Sequence, residues 1–457
     1  MNKQLSRRSF LAGSSALAMT AAGGRKGPKA HAYPGFATEF TPHTKCFMDQ
    51  YYDGAVEIVK GIRDTQVGNM AQAMQKAYEL KQKGGTIYSE IIYGHYASVA
   101  QSKDRPGQPW VLPQFDISTP EEVFDAMKEG DFLITHVTSE ARKRAHERGV
   151  FVVGVTNNYY PFYKTPPDGL TPDKMALPTV EEMSNMVIDS QVPWDNGLVD
   201  APQIPQFKLC PSSGLAAYSV YWPCTALLAT LIGSKGKDTS IEPAREYLNL
   251  LIERFKLIGT DRPKIDSIAS KWADFVLEKG ARLMVFGEQF KVSEKRTGNP
   301  FVSDAVGAAS GSMIGQEYNA DELRNTDIVL ICSMRSRQEQ EIEVARSAHQ
   351  KGAYTAAICP YSTDGDASGT RLFKEVDDAF NTYSYESEGV LEVKGFDKKI
   401  CPTTGLTGLL IHWMLMAQWT EHMARRGEMP YYWKGFHENG GREYDNAARP
   451  YFLERGY

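Results

Sequence analysis

The residues with the means to do chemistry gather at a few strand-to-loop junctions. In the first half Glu90, His95 and His136 fall near the ends of predicted strands; in the second, Glu288 follows the apolar run 282–286, with Glu294 a turn or two further on. A carboxylate and an imidazole together can take a proton from one atom and supply one to another. His412 is a further candidate, but the flanking Leu409-Leu410-Ile411 and Trp413-Met414-Leu415 equally suit a histidine satisfied within a core. A second set suits oxyanions. Ser333-Met334-Arg335-Ser336-Arg337-Gln338 links the apolar run 328–332 to a charged helical run over 338–350. At such a junction, hydroxyls and the first N–H groups of the helix converge on an anion. Arg335 and Arg337 add guanidinium groups able to clamp a phosphate, a sulfate or a carboxylate, or else pair with Glu339 and Glu341 as a solvated helix start. Thr403 and Thr404 offer hydroxyls at the N-cap of the last long helix, where simple capping competes.

Other chemistries lack their signatures. The chain contains no Gly-x-Gly-x-x-Gly opening a βα unit, no Walker A sequence, no Gly-x-Ser-x-Gly elbow and no His-Glu-x-x-His helix. His95 and His136 with Glu90 could ligate a metal, but no pair shows helical or zinc-type spacing, so neither metal nor cofactor is assigned. The six cysteines include no Cys-x-x-Cys pair; Cys332 and Cys359 sit in apolar runs as buried strand residues. With 42% hydrophobic and 23% charged residues, the chain is far from the composition of disordered proteins. A net charge of −5, with no basic run beyond the N-terminal segment, argues against a nucleic-acid partner.

That N-terminal segment reads as an address. Lys3, Ser6-Arg7-Arg8-Ser9-Phe10-Leu11, a weakly apolar stretch and Ala30-His31-Ala32 together predict a twin-arginine export signal over residues 1–32. Its removal takes away six positive and no negative charges, carrying the net charge from −5 to −11. The expected destination is the periplasm or the extracellular space, with the twin-arginine translocase as a transient partner. The apolar part over 10–22 is too short to span a bilayer, and it is the one stretch that invites that reading, so no transmembrane helix is expected.

The elements that must position these residues occur twice. Cys210-Pro211-Ser212-Ser213-Gly214-Leu215 and Cys401-Pro402-Thr403-Thr404-Gly405-Leu406 each open a long apolar stretch. Upstream, a helical run and an apolar strand recur at 70–83 and 84–88, then at 268–279 and 280–286. Between these anchors each half holds an acidic residue, an apolar strand, a charged helix, a glycine and a second strand, beginning at Asp131 and at Asp327. Short apolar strands alternating with helices mean parallel sheets covered on both faces. The expected fold is α/β, two doubly wound, flavodoxin-like domains from an internal duplication, over about 45–235 and 260–425. A helix over 242–257 bridges them, and residues 426–457 form an aromatic-rich arm packed over a domain surface.

The second half resembles a sugar isomerase domain, the SIS phosphosugar-binding fold. The resemblance rests on Phe286-Gly287-Glu288-Gln289, the strand led by Asp327, the loop 333–338 and the segment Ser368-Gly369-Thr370-Arg371-Leu372. Arg335 and Ser336 stand where that pattern has its second serine and its glycine. The first half matches through Tyr93-Gly94-His95-Tyr96 and through residues 210–215, but its loop from Ile134 to Glu140 departs from the pattern and runs straight into a helix several residues shorter than the family's. The resemblance implies a sugar-derivative ligand held by Ser333, Arg335, Ser336, Gln338, Thr403, Thr404 and His136. It also implies an aldose-ketose isomerase or related lyase using Glu288, His412, Glu90 and His95. A non-catalytic sugar binder and a structural protein are the competing functions, and self-association stays open. Because phosphosugars are mainly cytoplasmic, an exported chain is as well suited to a carboxylated, sulfated or neutral sugar.

Overall fold

A computed structural model describes residues 40–91, 112, 121–156, 169–287, 312–313, 316–361, 369–385, 389–434, 438–455 and 457. Helix α1 (Phe47–Thr65) buries Phe47, Tyr51, Ala55, Val59 and Ile62, the three-to-four spacing that turns one helical face inward. Its first turn is met from far along the chain: the buried Glu421 carboxylate accepts a hydrogen bond from the Phe47 N–H at 2.7 Å. After α2 (Val67–Gln82) the chain enters a four-stranded sheet of β1 (Ile87–Glu90), β2 (Phe132–Thr135), β3 (Phe151–Val155) and β4 (Met186–Ile188), parallel and in that order. Helix α3 (Glu140–Glu147) joins β2 to β3, and the antiparallel pair β5 (Gly197–Val199) and β6 (Leu209–Pro211) leads into α4 (Ser213–Ser234).

The plan then repeats. Helices α5 (Glu242–Thr260) and α6 (Arg262–Lys279) precede β7 (Leu283–Phe286), β8 (Ser312–Met313), β9 (Gln316–Glu317) and β10 (Ile328–Cys332). Next come α7 (Glu339–Gln350), β11 (Tyr354–Cys359), β12 (Asp378–Asn381) and α8 (Thr404–Arg425). The second sheet has the order β12-β11-β10-β7-β9, so β7 is flanked by β9, whereas among the described residues β1 pairs with β2 alone. The registers nevertheless agree: Ile87 lies beside Phe132 and Leu283 beside Ile328, a separation of 45 residues in both. Asp131 accepts from the backbone N–H groups of Thr86 and Lys128, and Asp327 accepts likewise from Arg282 and Arg324. Each acidic residue thereby closes the turn that feeds its strand.

Both faces of each sheet are buried. Ile328, Leu330 and Cys332 join the central core, whereas Val329 and Ile331 pack outward with Ile342, Ala345 and Ala348 of α7. In the first sheet Phe132 and Ile134 face the central core and Leu133 packs outward with Ala141 and Ala145 of α3. Between the sheets, α1 packs on α8 and α5 on α4, so the helix opening each half lies against the helix closing the other. The Tyr51 hydroxyl donates to the Pro211 carbonyl at 3.3 Å and the Tyr247 hydroxyl to the Pro402 carbonyl at 2.9 Å, matched ties before α4 and α8.

One sequence expectation is corrected here. Helix α4 is also long and apolar enough to cross a membrane, and 89% of its apolar window is buried inside the fold. Its hydrophobicity is explained by packing on α2, α5, α1 and α8. The C-terminal segment packs down as an arm: β13 (Tyr432–Trp433) pairs with β8, and Tyr444 of α9 (Gly441–Arg455) meets the Phe207 ring edge-on at 5.3 Å.

Candidate functional site

Parallel strands deliver loops to the carboxyl edge of a sheet, and in the second half β10 hands over there to α7. Ser333 extends the ladder by donating its N–H to the Ile358 carbonyl at 2.9 Å. Its hydroxyl accepts from the Arg335 N–H at 3.1 Å and donates to the carboxylate of Glu341, buried in the first turn of α7. Ser333 is therefore committed to positioning the loop. Ser336 is also buried, and its carbonyl accepts from the Leu372 N–H at 2.7 Å, drawing the buried Arg371 to the same edge. Arg335 is half-buried, with its Nε 3.2 Å from the Gln338 side-chain oxygen when that amide is turned toward it. Arg337 is exposed. Gln338 occupies the N-cap of α7 without a side-chain cap hydrogen bond.

Gly287 has φ 122°, and a Cβ there would lie 2.2 Å from the Cys332 carbonyl oxygen. Only glycine lets the chain leaving β7 cross the end of β10. Glu288 and Glu294, which follow, lie outside the described residues, as does His95.

Thr403 and Thr404 are buried at the start of α8, but neither caps it, which corrects the capping alternative. The Thr403 hydroxyl pairs with Ser384 Oγ at 2.9 Å, and the Thr404 hydroxyl donates to the Tyr385 carbonyl at 3.1 Å. These bonds tie the helix start to the segment after β12. Just before it Cys401 has φ 61°, matched by φ 61° at Cys210, a left-handed backbone unusual for a residue with a side chain. Burial pushes both thiols well up, leaving them unreactive.

At the corresponding edge of the first sheet, Glu90 ends β1 fully buried. Its Oε1 accepts from Arg142 Nη2 at 2.7 Å, and its Oε2 accepts from the Thr135 hydroxyl at 2.7 Å and from Arg142 Nε at 3.3 Å. Burial works against the Arg142 charge, but the carboxylates of Glu90 and Glu121 outweigh it and raise its pKa. His136, at the end of β2, is buried beside this pair in sequence. Arg142 is the residue sequence reasoning missed. Nothing local links a strand end to a helix 52 positions later, and only the β1–β2 register brings them together.

His412 lies two turns into α8, 1% exposed, with the Trp413 ring edge-on at 4.8 Å. Burial pushes its pKa down to about 3, so it is a neutral core imidazole. It belongs to neither loop cluster. Of the carboxylate and imidazole candidates, then, Glu90 is held in an ion pair and His412 in the core.

No family model matches the chain. Among curated proteins it is similar to a UPF0309 protein of Geobacillus sp. (strain WCH70), 28% identical over 161 residues that make up 33% of this chain and 65% of that protein. It is also similar to a UPF0309 protein of Listeria monocytogenes serovar 1/2a, 23% identical over 150 residues, 32% of this chain and 63% of that protein. The chain spans less than two thirds of the length of these relatives. Among solved structures, it is similar to a protein from Salmonella typhimurium LT2 named for sugar binding, at TM-score 0.44 and 11% identity, over 81% of this chain and 98% of that one. A protein from Silicibacter pomeroyi DSS-3 named for phosphosugar isomerisation gives TM-score 0.41 and 13% identity, over 85% of this chain and 100% of that one.

Proposed function

We propose that this chain binds a sugar derivative at the carboxyl edge of its second sheet, with Arg335, Gln338 and the N-terminus of α7 contacting an anionic group. The observation that carries this reading is the β10–α7 loop. There the half-buried Arg335 meets the Gln338 side chain at the start of a helix that Gln338 does not cap, in a loop that also holds the buried Ser333 and Ser336. Its likeness to the SIS loop pattern supports a sugar rather than a simple anion. Ser333, Thr403 and Thr404 serve as braces rather than contacts, because their hydroxyls are engaged within the protein.

Binding is better supported than turnover. Glu90 is locked to Arg142, and His412 is neutral and buried, so an isomerase would depend on Glu288 and on His95. The Ser6–Leu11 pattern supports export of the folded chain, with a mature start near Tyr33; replacing Arg7 and Arg8 by Lys should then abolish twin-arginine export.

The test is a thermal-shift series on the chain lacking residues 1–32, with glucose 6-phosphate, glucuronate and glucose. A ligand at about 100 times its Kd stabilises by about 2.7 kcal/mol. Stabilisation by the anionic sugars that disappears in Arg335→Ala supports the site; an unchanged response in that variant removes it. Product formation by the wild type that is lost in Glu288→Gln, with binding intact, would make the protein an enzyme.

A further inference from the structure

The first half raises a separate question: why a carboxylate should stand, fully buried, where the second half has an aromatic ring. By register Glu90 lies beside Thr135, and Phe286 lies in the same place beside Ile331. Phe286, partly buried against the outer cluster, packs edge-on against Tyr318 at 5.8 Å. Glu90 instead enters a cradle of donors. Arg142 offers Nε and Nη2 as a fork, and the Thr135 hydroxyl supplies a third hydrogen bond.

The cradle is held by groups other than Glu90. The Arg142 guanidinium carbon stacks 3.8 Å from the centre of the Phe124 ring. Its Nη1 donates to Ser139 Oγ at 2.9 Å and pairs with Glu121, and Ser139 is the N-cap of α3. Thr135 is fixed by the β2 ladder on both sides. Arg142 is 4% exposed and Glu90 0%, so the fork operates out of water, where a charged partner is worth most. These are the parts of an oxyanion site: a braced guanidinium, a hydroxyl and exclusion of solvent.

We propose that the first half contains a built oxyanion site filled by the chain's own Glu90 side chain, and that a small external carboxylate takes this place when Glu90 is shortened. The carboxylate of Glu90 is thus an internal ligand at the first sheet edge. This is independent of what the second half binds, since the probe and the variant differ from those that test the sugar site.

The experiment uses the same chain lacking residues 1–32, with Glu90→Ala. Its melting temperature is followed in sodium acetate and sodium formate against sodium chloride and sodium phosphate at equal ionic strength. The expected result is a saturable rise with acetate or formate in Glu90→Ala, no such rise in the wild type, and none in the Glu90→Ala/Arg142→Met double variant. If Glu90→Ala does not accumulate in folded form, refolding from urea with and without acetate replaces the melt, and folded protein should return only with the carboxylate. An equal response to chloride, a response that survives in the double variant, or no recovery with acetate overturns the proposal. A response to phosphate but to neither carboxylate also overturns it.

Discussion

The two halves share a backbone plan and part company at their loops. Asp131 and Asp327 close equivalent turns by accepting from equivalent pairs of backbone N–H groups, and Tyr51 and Tyr247 donate to equivalent proline carbonyls. Among the described residues, the loops that follow β2 and β10 differ. The first half closes on a Glu90–Arg142 ion pair, while the second sets Arg335 against Gln338, which does not cap its helix. Residues that satisfy the backbone are constrained in both halves by the same accounting of hydrogen bonds. Loop residues escape that constraint, so the first half can fill its edge with an ion pair that the second half lacks at the matching register.

The comparison breaks most visibly if the seal is opened from the cationic side. Arg142→Ala leaves Glu90 buried without its countercharge, and removing one partner of a buried pair costs about 3–5 kcal/mol. The double change Glu90→Ala/Arg142→Ala should cost less than the single Arg142→Ala. Urea unfolding of the three proteins measures both, and simple additivity would show that the pair is not coupled.

How far the sequence carries this picture depends on whether a feature is periodic or relational. Strands 328–332 and 354–359 are set by their apolar runs alone and emerge with those bounds. The Cys-Pro repeat announces both long helices, since a left-handed Cys followed by Pro recurs at each. The loop 333–338 emerges between β10 and α7, as its place between an apolar run and a charged run requires, with Ser333 bracing it from within. What could not be read is pairing across distance: Arg142 with Glu90, Glu341 with Ser333, and Glu421 with the start of α1. Arg142, Glu341 and Glu421 are charged residues of helices that the packing turns inward. His412 shows the opposite error, a reactive side chain that the fold simply buries.

That histidine supplies the next contrast. At the matching place in α4 stands Tyr221, whose hydroxyl donates to the Leu112 carbonyl at 3.2 Å. With a folded pKa of about 3 against about 6.5 unfolded, His412 makes the unfolded state bind more protons between those values. Stability should therefore fall as pH drops below about 6.5, by about 3 kcal/mol at pH 4. His412→Phe should lose that part of the acid dependence. An identical pH profile in the two proteins would mean that the imidazole finds water or charge in the fold.

The matched aspartates should differ in degree. Asp327 adds ion pairs with Arg282 and Arg324 to its backbone bonds, whereas Asp131 makes its two backbone contacts. Asp327→Ala is expected to cost about 2–3 kcal/mol and Asp131→Ala about 1–2 kcal/mol. Burial opposes the Asp327 charge, but its arginine and backbone donors prevail and hold the carboxyl below its ordinary value. A carboxyl lowered in the folded state contributes stability above its unfolded pKa and loses it as pH falls through the folded one. The gap between wild type and Asp327→Ala should accordingly close below about pH 4; a gap that persists there would assign the cost to lost packing.

The smallest effect separates a sealed helix start from one available to a ligand. Ser139 caps α3, its Oγ accepting from the Arg142 N–H at 3.3 Å, and Ser139→Ala should cost about 1 kcal/mol. Gln338 holds the same place on α7 and makes no cap bond, so Gln338→Ala should stay within about 0.5 kcal/mol of wild type in the absence of ligand. Ligand reverses the ranking if the β10–α7 loop is the sugar site. Gln338→Ala should then weaken the stabilisation by glucose 6-phosphate or glucuronate, because its amide flanks the Arg335 guanidinium, while Ser139→Ala leaves that increment unchanged. Melting curves of both variants with and without the sugars suffice. A ligand-free cost in Gln338→Ala as large as that in Ser139→Ala would make residue 338 a structural cap, and the difference between the two loops would shrink to the Glu90–Arg142 pair alone.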